Sequence, residues 1–551
     1  MIEYIENHDY KKTRRKQLNI SSYNDMMNTR RGGDNMSKKY DELLHTLCIY
    51  DSVEKVPYEG CIFLKDGKIA NVEKGSIKDE YLEKADTVTE CGDKTVCAGF
   101  GDTHTFFTGY VIEHLGVDFS DCHSIEQLEK KVTAQKDIVH VMFGNHLEKK
   151  FVKNEAAEKM LERVMPDKAV VLFTEGHATC LMNEKAKAEF GFDEDHCYSE
   201  AIYKIMPLYL NDRSFIEKEL ISYMKLLNSR GITSVKEMGF DDFYGFTDVL
   251  EEMELNHELT LRIAFMSQPV GAEPNIKYAK DIEQKFKGDY VRFSGFNQMT
   301  DGLILKKEGH LLEPYEGTTI TCKKEIDYEK LEKQVLEADE NGIRYTLHSE
   351  GDGAFHEILN IYEKCRKKNG KLENRHGITD LELTEPEDEK RMAALGAFGE
   401  IYAQVYALDT YEGYVNAYEQ VIGERQKRYL NYRSLIKNGV RLCGATDLPL
   451  LIPSIPESIY YGCANYGSDH NKRINPENGL SVQEMIDAWT INSQYAMERE
   501  RELGSIETGK KADLVIFDRN IFKTPMEEML LVQVEKTMVN GKIVYTKEEE
   551  L

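Results

Sequence analysis

Four polar residues have the types and positions that ligand and acid–base chemistry needs. His104 lies in Gly101-Asp-Thr-His-Thr-Phe106, His348 in Tyr345-Thr-Leu-His-Ser-Glu350 and Asp447 in Cys443-Gly-Ala-Thr-Asp-Leu-Pro449, each following or ending an apolar run. His376 lies in the loop-like stretch Asn374-Arg-His-Gly377. Imidazole nitrogens and a carboxylate are suitable ligands for a borderline divalent ion such as zinc. An aspartate beside ion-bound water can take the proton that the ion makes acidic. A histidine taken alone is more often structural or exposed than catalytic. What favours this set is its order along the chain, because a parallel β/α barrel opens all its strand C-termini onto one face, where distant residues converge.

The elements that must position them alternate along the middle of the chain. Compact apolar runs at 95–100, 138–143, 169–173, 232–235, 261–265, 343–347, 397–401 and 440–443 read as strands. Amphipathic segments at 125–132, 215–227, 328–338, 355–368 and 387–395 read as helices between them. Repeated βα units predict a parallel sheet with helical crossovers, either a closed eightfold barrel or an open doubly wound sheet. No glycine-rich phosphate loop of dinucleotide or Walker type is present. Both ends of the chain read differently. Asp66-Gly67 and Asn540-Gly541 each separate two short alternating runs, a hairpin signal resting on glycine's tolerance of positive φ. The termini are therefore expected to pair into one small β domain, 36–97 plus 500–551, around a barrel at 98–499. The stretch from about 110 to 230 exceeds what plain βα units need and predicts an insertion at the barrel mouth.

Composition narrows the function class. The 551 residues carry 97 Asp+Glu against 71 Lys+Arg, a net charge of −26, and 41% of them are hydrophobic. Such a chain can build a large core, and its field opposes nucleic acid and anionic membrane surfaces, which favours a small-molecule enzyme. No run approaches the ~18 apolar residues of a membrane span and no apolar signal core opens the chain, so a cytoplasmic protein is expected. Eleven cysteines without CxxC spacing read as reduced core thiols. Residues 1–40 hold nine Lys/Arg against five Asp/Glu, leaving the remainder at −30. Residues 1–35 read as a disordered tail or as a leader mis-assigned ahead of a start at Met36, where Arg30-Arg31-Gly32-Gly33 is encodable by a ribosome-binding purine tract.

Strings of residues in fixed order sharpen this picture. Ala98-Gly-Phe-Gly-Asp-Thr-His-Thr-Phe106, Glu175-Gly-His-Ala-Thr-Cys-Leu-Met-Asn183 and Gly231-Ile-Thr-Ser-Val-Lys-Glu-Met-Gly239 are followed by Asp301-Gly302, Leu311-Leu-Glu-Pro-Tyr315 and His348-Ser-Glu-Gly-Asp352. Ala488-Trp-Thr-Ile-Asn492 and Leu503-Gly-Ser-Ile-Glu-Thr-Gly-Lys-Lys-Ala-Asp-Leu-Val515 close the series. From about residue 44 to 545 the chain resembles the amidohydrolase superfamily, in its YtcJ-like (amidohydrolase 3) branch. The resemblance implies a (β/α)8 TIM-like barrel with a small β-sandwich from both termini. It also implies metal-assisted hydrolysis of C–N bonds in amides or related groups of a small molecule, and a homodimer. His104, His348, His376 and Asp447 fall on the family's metal-ligand positions, Asp447 also as proton acceptor. His177 falls near the substrate, and Lys236 or Glu237 at a strand end is a further ligand or proton-transfer group.

Two positions depart from the pattern. Phe106 stands where the family has the second histidine of His-x-His, and Asn297 where it often has a bridging carboxylated lysine. Neither can bridge two ions, so the expected site holds one divalent ion, zinc first. Two alternatives stay open: a metal-independent hydrolase, decarboxylase or isomerase, and a non-catalytic binding or regulatory protein on the same scaffold. Tyr402, Tyr406 and Tyr411 are candidate pocket lining, and Trp489 a core residue.

Overall fold

Eight short strands pair in parallel in the order of the chain. They are β1 (Phe100–Thr105), β2 (Ile232–Met238), β3 (Arg262–Ser267), β4 (Val291–Gln298), β5 (Tyr345–Ser349), β6 (Gly377–Asp380), β7 (Phe398–Ile401) and β8 (Arg441–Gly444). The computed structural model describes residues 38–137, 141–174, 179–191, 193–194, 197, 204–239, 245–268, 273–449 and 454–547. The expected leader at 1–35 lies outside the described residues, as does His177.

The sheet closes on itself where β8 meets β1. Asp447 N donates to His104 O at 2.9 Å, Phe106 N to Leu448 O at 3.0 Å, and the Thr103 hydroxyl to Gly444 O at 3.1 Å. The fold is thus the barrel and not the open sheet. Buried on both faces, its strands are nearly continuous in buried residues, as parallel strands between a barrel interior and a helical coat must be. Trp489, fully buried, packs on the outside of the seam: a Cβ on Gly444 would come within 2.4–2.9 Å of its indole. Glycine there is a packing requirement.

The expected strand series is corrected in five places. The run at 95–100 divides, Thr95–Ala98 joining a sheet built from the two chain ends and Phe100 opening β1. The described part of the run at 138–143 and the run at 169–173 do not enter the barrel. They contribute Met142–Leu147 and Val170–Thr174 to a separate four-stranded sheet inside the insertion between β1 and β2, with its own apolar core of Phe119, Leu128, Met160, Leu161 and Leu172. The barrel strands taking their places, β4 and β6, were not among the apolar runs. Arg292, Ser294 and Gly295 interrupt β4, and β6 is only Gly-Ile-Thr-Asp.

Both hairpin turns form as read, with Asp66 and Gly67 at φ 50° and 75° and Asn540 and Gly541 at 49° and 68°. The strands flanking them join one ladder, in the order 542–546, 534–539, 514–517, 95–98, 40–50, 58–65, 68–74, so that both chain ends build a single terminal sheet. All eleven cysteines are unpaired and ten are buried. Among the described residues no helix is long and apolar enough to cross a membrane.

Arg262 fastens this sheet to the barrel floor. Its guanidinium, 1% exposed, holds Asp513 through two bonds of 2.8 and 3.0 Å, reaches Asp289 at 3.0 Å and Asn540 Oδ1 at 2.7 Å, and lies over the Tyr290 ring. Arg262→Met strands the buried Asp513 carboxylate and is expected to lower unfolding free energy by about 3–5 kcal/mol in urea titrations. Asp289 adds a pH dependence. Burial alone would raise its pKa, but Arg262 and Lys511 outweigh burial and hold it well below the usual carboxylate range. Stability from Asp289 is therefore complete above its unfolded pKa near 4 and is lost as pH falls below that value. The gap between the urea midpoints of wild type and Asp289→Asn is expected to stay constant from pH 6 to pH 5 and to narrow steadily as pH falls from 4 towards 2; a gap unchanged over that lower range would refute this assignment.

Candidate active site

Closure sets two half-sites facing each other at the C-terminal mouth. In the first, the fully buried Asp102 accepts from Thr446 N (3.0 Å), the Thr446 hydroxyl (2.7 Å) and His104 N (3.2 Å), tying the end of β1 to the loop after β8. His104 Nε2 then faces Asp447 Oδ1 at 3.7 Å, and its Nδ1 lies 3.2 Å from Glu400 Oε2 on β7. Glu400 is also bonded to Lys236 of β2. Next to them, Glu237 takes bonds from the Thr105 and Tyr223 hydroxyls, both 2.8 Å, and from Phe107 N, which fixes the turn carrying Phe106.

In the second half-site, His348 Nε2 at the end of β5 lies 3.7 Å from Asp380 Oδ2 at the end of β6. Asp301, in the loop after β4, accepts from His310 N (2.9 Å), Gly351 N (2.9 Å) and Glu350 N (3.1 Å). Its Oδ1 approaches His348 Nδ1 to 3.2 Å, close enough for attraction but off line for a hydrogen bond. Gly351 allows that loop to lie down on β5: a Cβ there would fall 2.0 Å from His310 O. Asp380 and Asp447 both adopt left-handed backbone, φ 72° and 52°, the kind of local strain found where side-chain aim matters.

Negative charge is in excess around these imidazoles. Burial pushes Asp447 up to about 7 despite His104, and raises Asp380 despite both histidines. Glu382 is pushed to about 7 and Glu350 well above its usual range, by burial and by neighbouring carboxylates. Burial opposes charge on His348, yet Asp380 and Asp301 outweigh it and raise it to about 9. The Asp447 side chain keeps 29% of its surface open, and among the described residues no donor holds its carboxylate.

The four residues expected as ligands do not all meet. His104, His348 and Asp447 reach the mouth. His376 precedes β6 and sits at the opposite end of the barrel, fully buried, with Nε2 3.0 Å from Asp339 and Nδ1 accepting from Tyr345 N at 3.0 Å. The residue β6 does deliver to the mouth is Asp380. Lys236 lies below the site with no exposed surface, as partner of Glu400. Phe106 packs 5.4 Å from the His104 ring. Asn297 is buried with Oδ1 unpartnered, its Nδ2 reaching Gln268 only at 3.4 Å. Tyr402 stands edge-on to His104 at 5.7 Å; Tyr406 is core, and Tyr411 begins the helix Tyr411–Ile422.

A family model for the amidohydrolase family matches residues 87–545. The chain belongs to the amidohydrolase family. Two curated relatives of this amidohydrolase chain are YtcJ of Bacillus subtilis (strain 168), which carries an amidohydrolase designation, and the N-substituted formamide deformylase of Arthrobacter pascens. The first is 27% identical over 48% of the chain and 49% of the relative, the second 28% identical over 38% of each. The matched part thus spans half or less of these relatives' length. A crystal structure of an uncharacterized metal-dependent hydrolase from Pyrococcus horikoshii OT3 superposes with a TM-score of 0.71 at 18% identity, covering 88% of the chain and 99% of that structure. It shares the fold.

Whether the chain fits the family's metal is decided at the mouth. Among the described residues, Asp339, Cys365 and His376 alone bring three ligand atoms within 4.8 Å of one another. That set is already satisfied: Asp339 is also bonded to Asn374 (2.6 Å) and Arg366 N (2.7 Å), and burial pushes the Cys365 thiol up to about 12. His104, Asp447, His348 and Asp380 instead present two nitrogen–oxygen pairs amid carboxyls raised by burial and by one another. These donor types fit a divalent ion, although as placed no three of them bring ligand atoms within 4.8 Å of one another. His376→Asn is accordingly expected to lower stability by about 1–3 kcal/mol, through the stranded Asp339, while leaving metal content unchanged by elemental analysis.

Proposed function

We propose that this chain is a metal-dependent hydrolase of the C–N bond in a small non-peptide amide or cyclic amide, with one divalent ion, zinc first, held by His104, His348, Asp380 and Asp447. The observation that supports this reading most is the facing of the pairs His104–Asp447 and His348–Asp380, each at 3.7 Å, amid excess carboxylate. When bound, such an ion polarises the substrate carbonyl and acidifies water.

The chain's own groups divide the remaining work. Both Nε2 atoms face inward because a carboxylate stands at each Nδ1, Glu400 for His104 and Asp301 for His348. Asp447 Oδ1 faces His104, and its unengaged second oxygen is placed to accept the proton of the attacking water and return it to the leaving nitrogen. Phe106 and Tyr402 shield the imidazole of His104 from bulk water. Phe106 and Asn297 remove the ligands a second ion needs, which supports a single ion.

Assay against a panel of N-formyl amines, cyclic amides and ureas, before and after chelation, tests the reading. The expected outcome is turnover that chelation abolishes and zinc or manganese restores, with Asp447→Asn lowering kcat at least ~10²-fold. Turnover indifferent to chelation, from protein holding no metal, would instead support a metal-independent barrel enzyme.

A further inference from the structure

His104 faces a carboxylate on each side, and which nitrogen carries its proton decides what the site can bind. Glu400 Oε2 lies 3.2 Å from Nδ1 and Asp447 Oδ1 lies 3.7 Å from Nε2. A carboxylate can only accept, so the nitrogen bonded to it must be the protonated one, and the contact within hydrogen-bond range is the one to Glu400. Glu400 cannot turn away. Its other oxygen accepts from Lys236 Nζ, and neither side chain has exposed surface. Lys236 is held in turn by the Thr346 hydroxyl at 3.4 Å and by the Phe398 ring, 5.3 Å from its centroid, so it reaches no open space. Phe106 and Tyr402 stand edge-on at 5.4 and 5.7 Å and fix the imidazole plane.

A buried ion pair is weak evidence for stability, since an apolar pair of similar volume serves as well. The Lys236–Glu400 couple is better explained by the task of its second carboxylate oxygen. We infer that Glu400, clamped by Lys236, is a positioning residue that keeps the His104 proton on Nδ1 and turns a bare Nε2 toward Asp447. The inference rests on the metal reading above. It assigns Lys236 a role through Glu400 and not at the substrate. It also fits the presence of Phe106 in place of a second imidazole, because His104 is then the one nitrogen donor of its half-site and is lost to the ion when it presents N–H inward.

An isosteric change exposes the device. In Glu400→Gln the ammonium of Lys236 still requires an acceptor, so the amide carbonyl faces Lys236 and the amide NH₂ faces His104. Nδ1 must then accept, and the proton moves to Nε2. Two-bond nitrogen–proton NMR of ¹⁵N-histidine-labelled, chelator-treated protein reads this directly, with His104 assigned by its loss in His104→Asn. The expected result is an Nδ1–H tautomer in wild type and an Nε2–H tautomer in Glu400→Gln, with zinc affinity by titration calorimetry weakened about 10–100-fold in the variant. A wild-type His104 protonated on Nε2 overturns the inference without needing any variant, and so does a Glu400→Gln protein that binds zinc as tightly as wild type. Wild type that binds no zinc defeats the metal reading, while the tautomer still decides the positioning role.

Discussion

Barrel closure at the β1–β8 seam is the constraint on which the rest depends. Asp102 grips both the backbone and the hydroxyl of Thr446, and in doing so brings the first and last strands of a barrel some 340 residues apart in sequence into contact. Only with that seam shut does His104 come opposite Asp447. Asp102 is fully buried, and burial lifts its carboxyl to about 7 despite the bonds from Thr446 and His104. A buried acid placed to hold a backbone is costly unless those bonds are complete, so the seam is formed whole or not at all.

Around that seam the mouth repeats one arrangement twice. Each histidine has a carboxylate at Nδ1 and another at Nε2: Glu400 and Asp447 for His104, Asp301 and Asp380 for His348. The outer carboxylates are themselves held, Glu400 by Lys236 and Asp301 by three backbone amides. Of the inner two, Asp380 accepts from the Thr379 hydroxyl at 3.1 Å, while among the described residues no donor holds Asp447. The held outer groups orient the imidazoles in advance.

The barrel and the strands at both chain ends were legible in the sequence because they rest on local signals, and three of the residues it singled out lie at the barrel mouth. Asn-Gly and Asp-Gly turns need only glycine's φ, and apolar runs of five or six residues announce buried strands. His376 shows where such signals fail. A strand as short and polar as Gly-Ile-Thr-Asp leaves no apolar run, so nothing in composition says that it begins at Gly377 and that Asp380, not His376, stands at its C-terminal end. Placing that strand would have moved the proposed ligand role from one to the other. Glu400 was within reach for the opposite reason. Its strand was recognised, but a lone glutamate among Phe, Gly and Ile carries no mark of the lysine 164 residues earlier that neutralises it.

Phe106, Asn297 and Asp380 make sense together. A binuclear centre needs its bridging anion and a full imidazole set, since two adjacent dications repel strongly where the local dielectric is low. With Phe106 and Asn297 the bridge and one nitrogen are gone, and Asp380 stands at the mouth as an oxygen donor beside His348. A single dication between His104–Asp447 and His348–Asp380 would meet two neutral nitrogens and two anionic oxygens, a set that balances its charge without any bridge. The remaining acids, Glu350 and Glu382, are raised by burial and by neighbouring carboxylates, Glu382 and Asp301 for the first and Asp380 for the second, so they add little to the charge the ion sees. With no residue at position 106 or 297 that could bridge two cations, the charge at the mouth is matched to one ion and not to two.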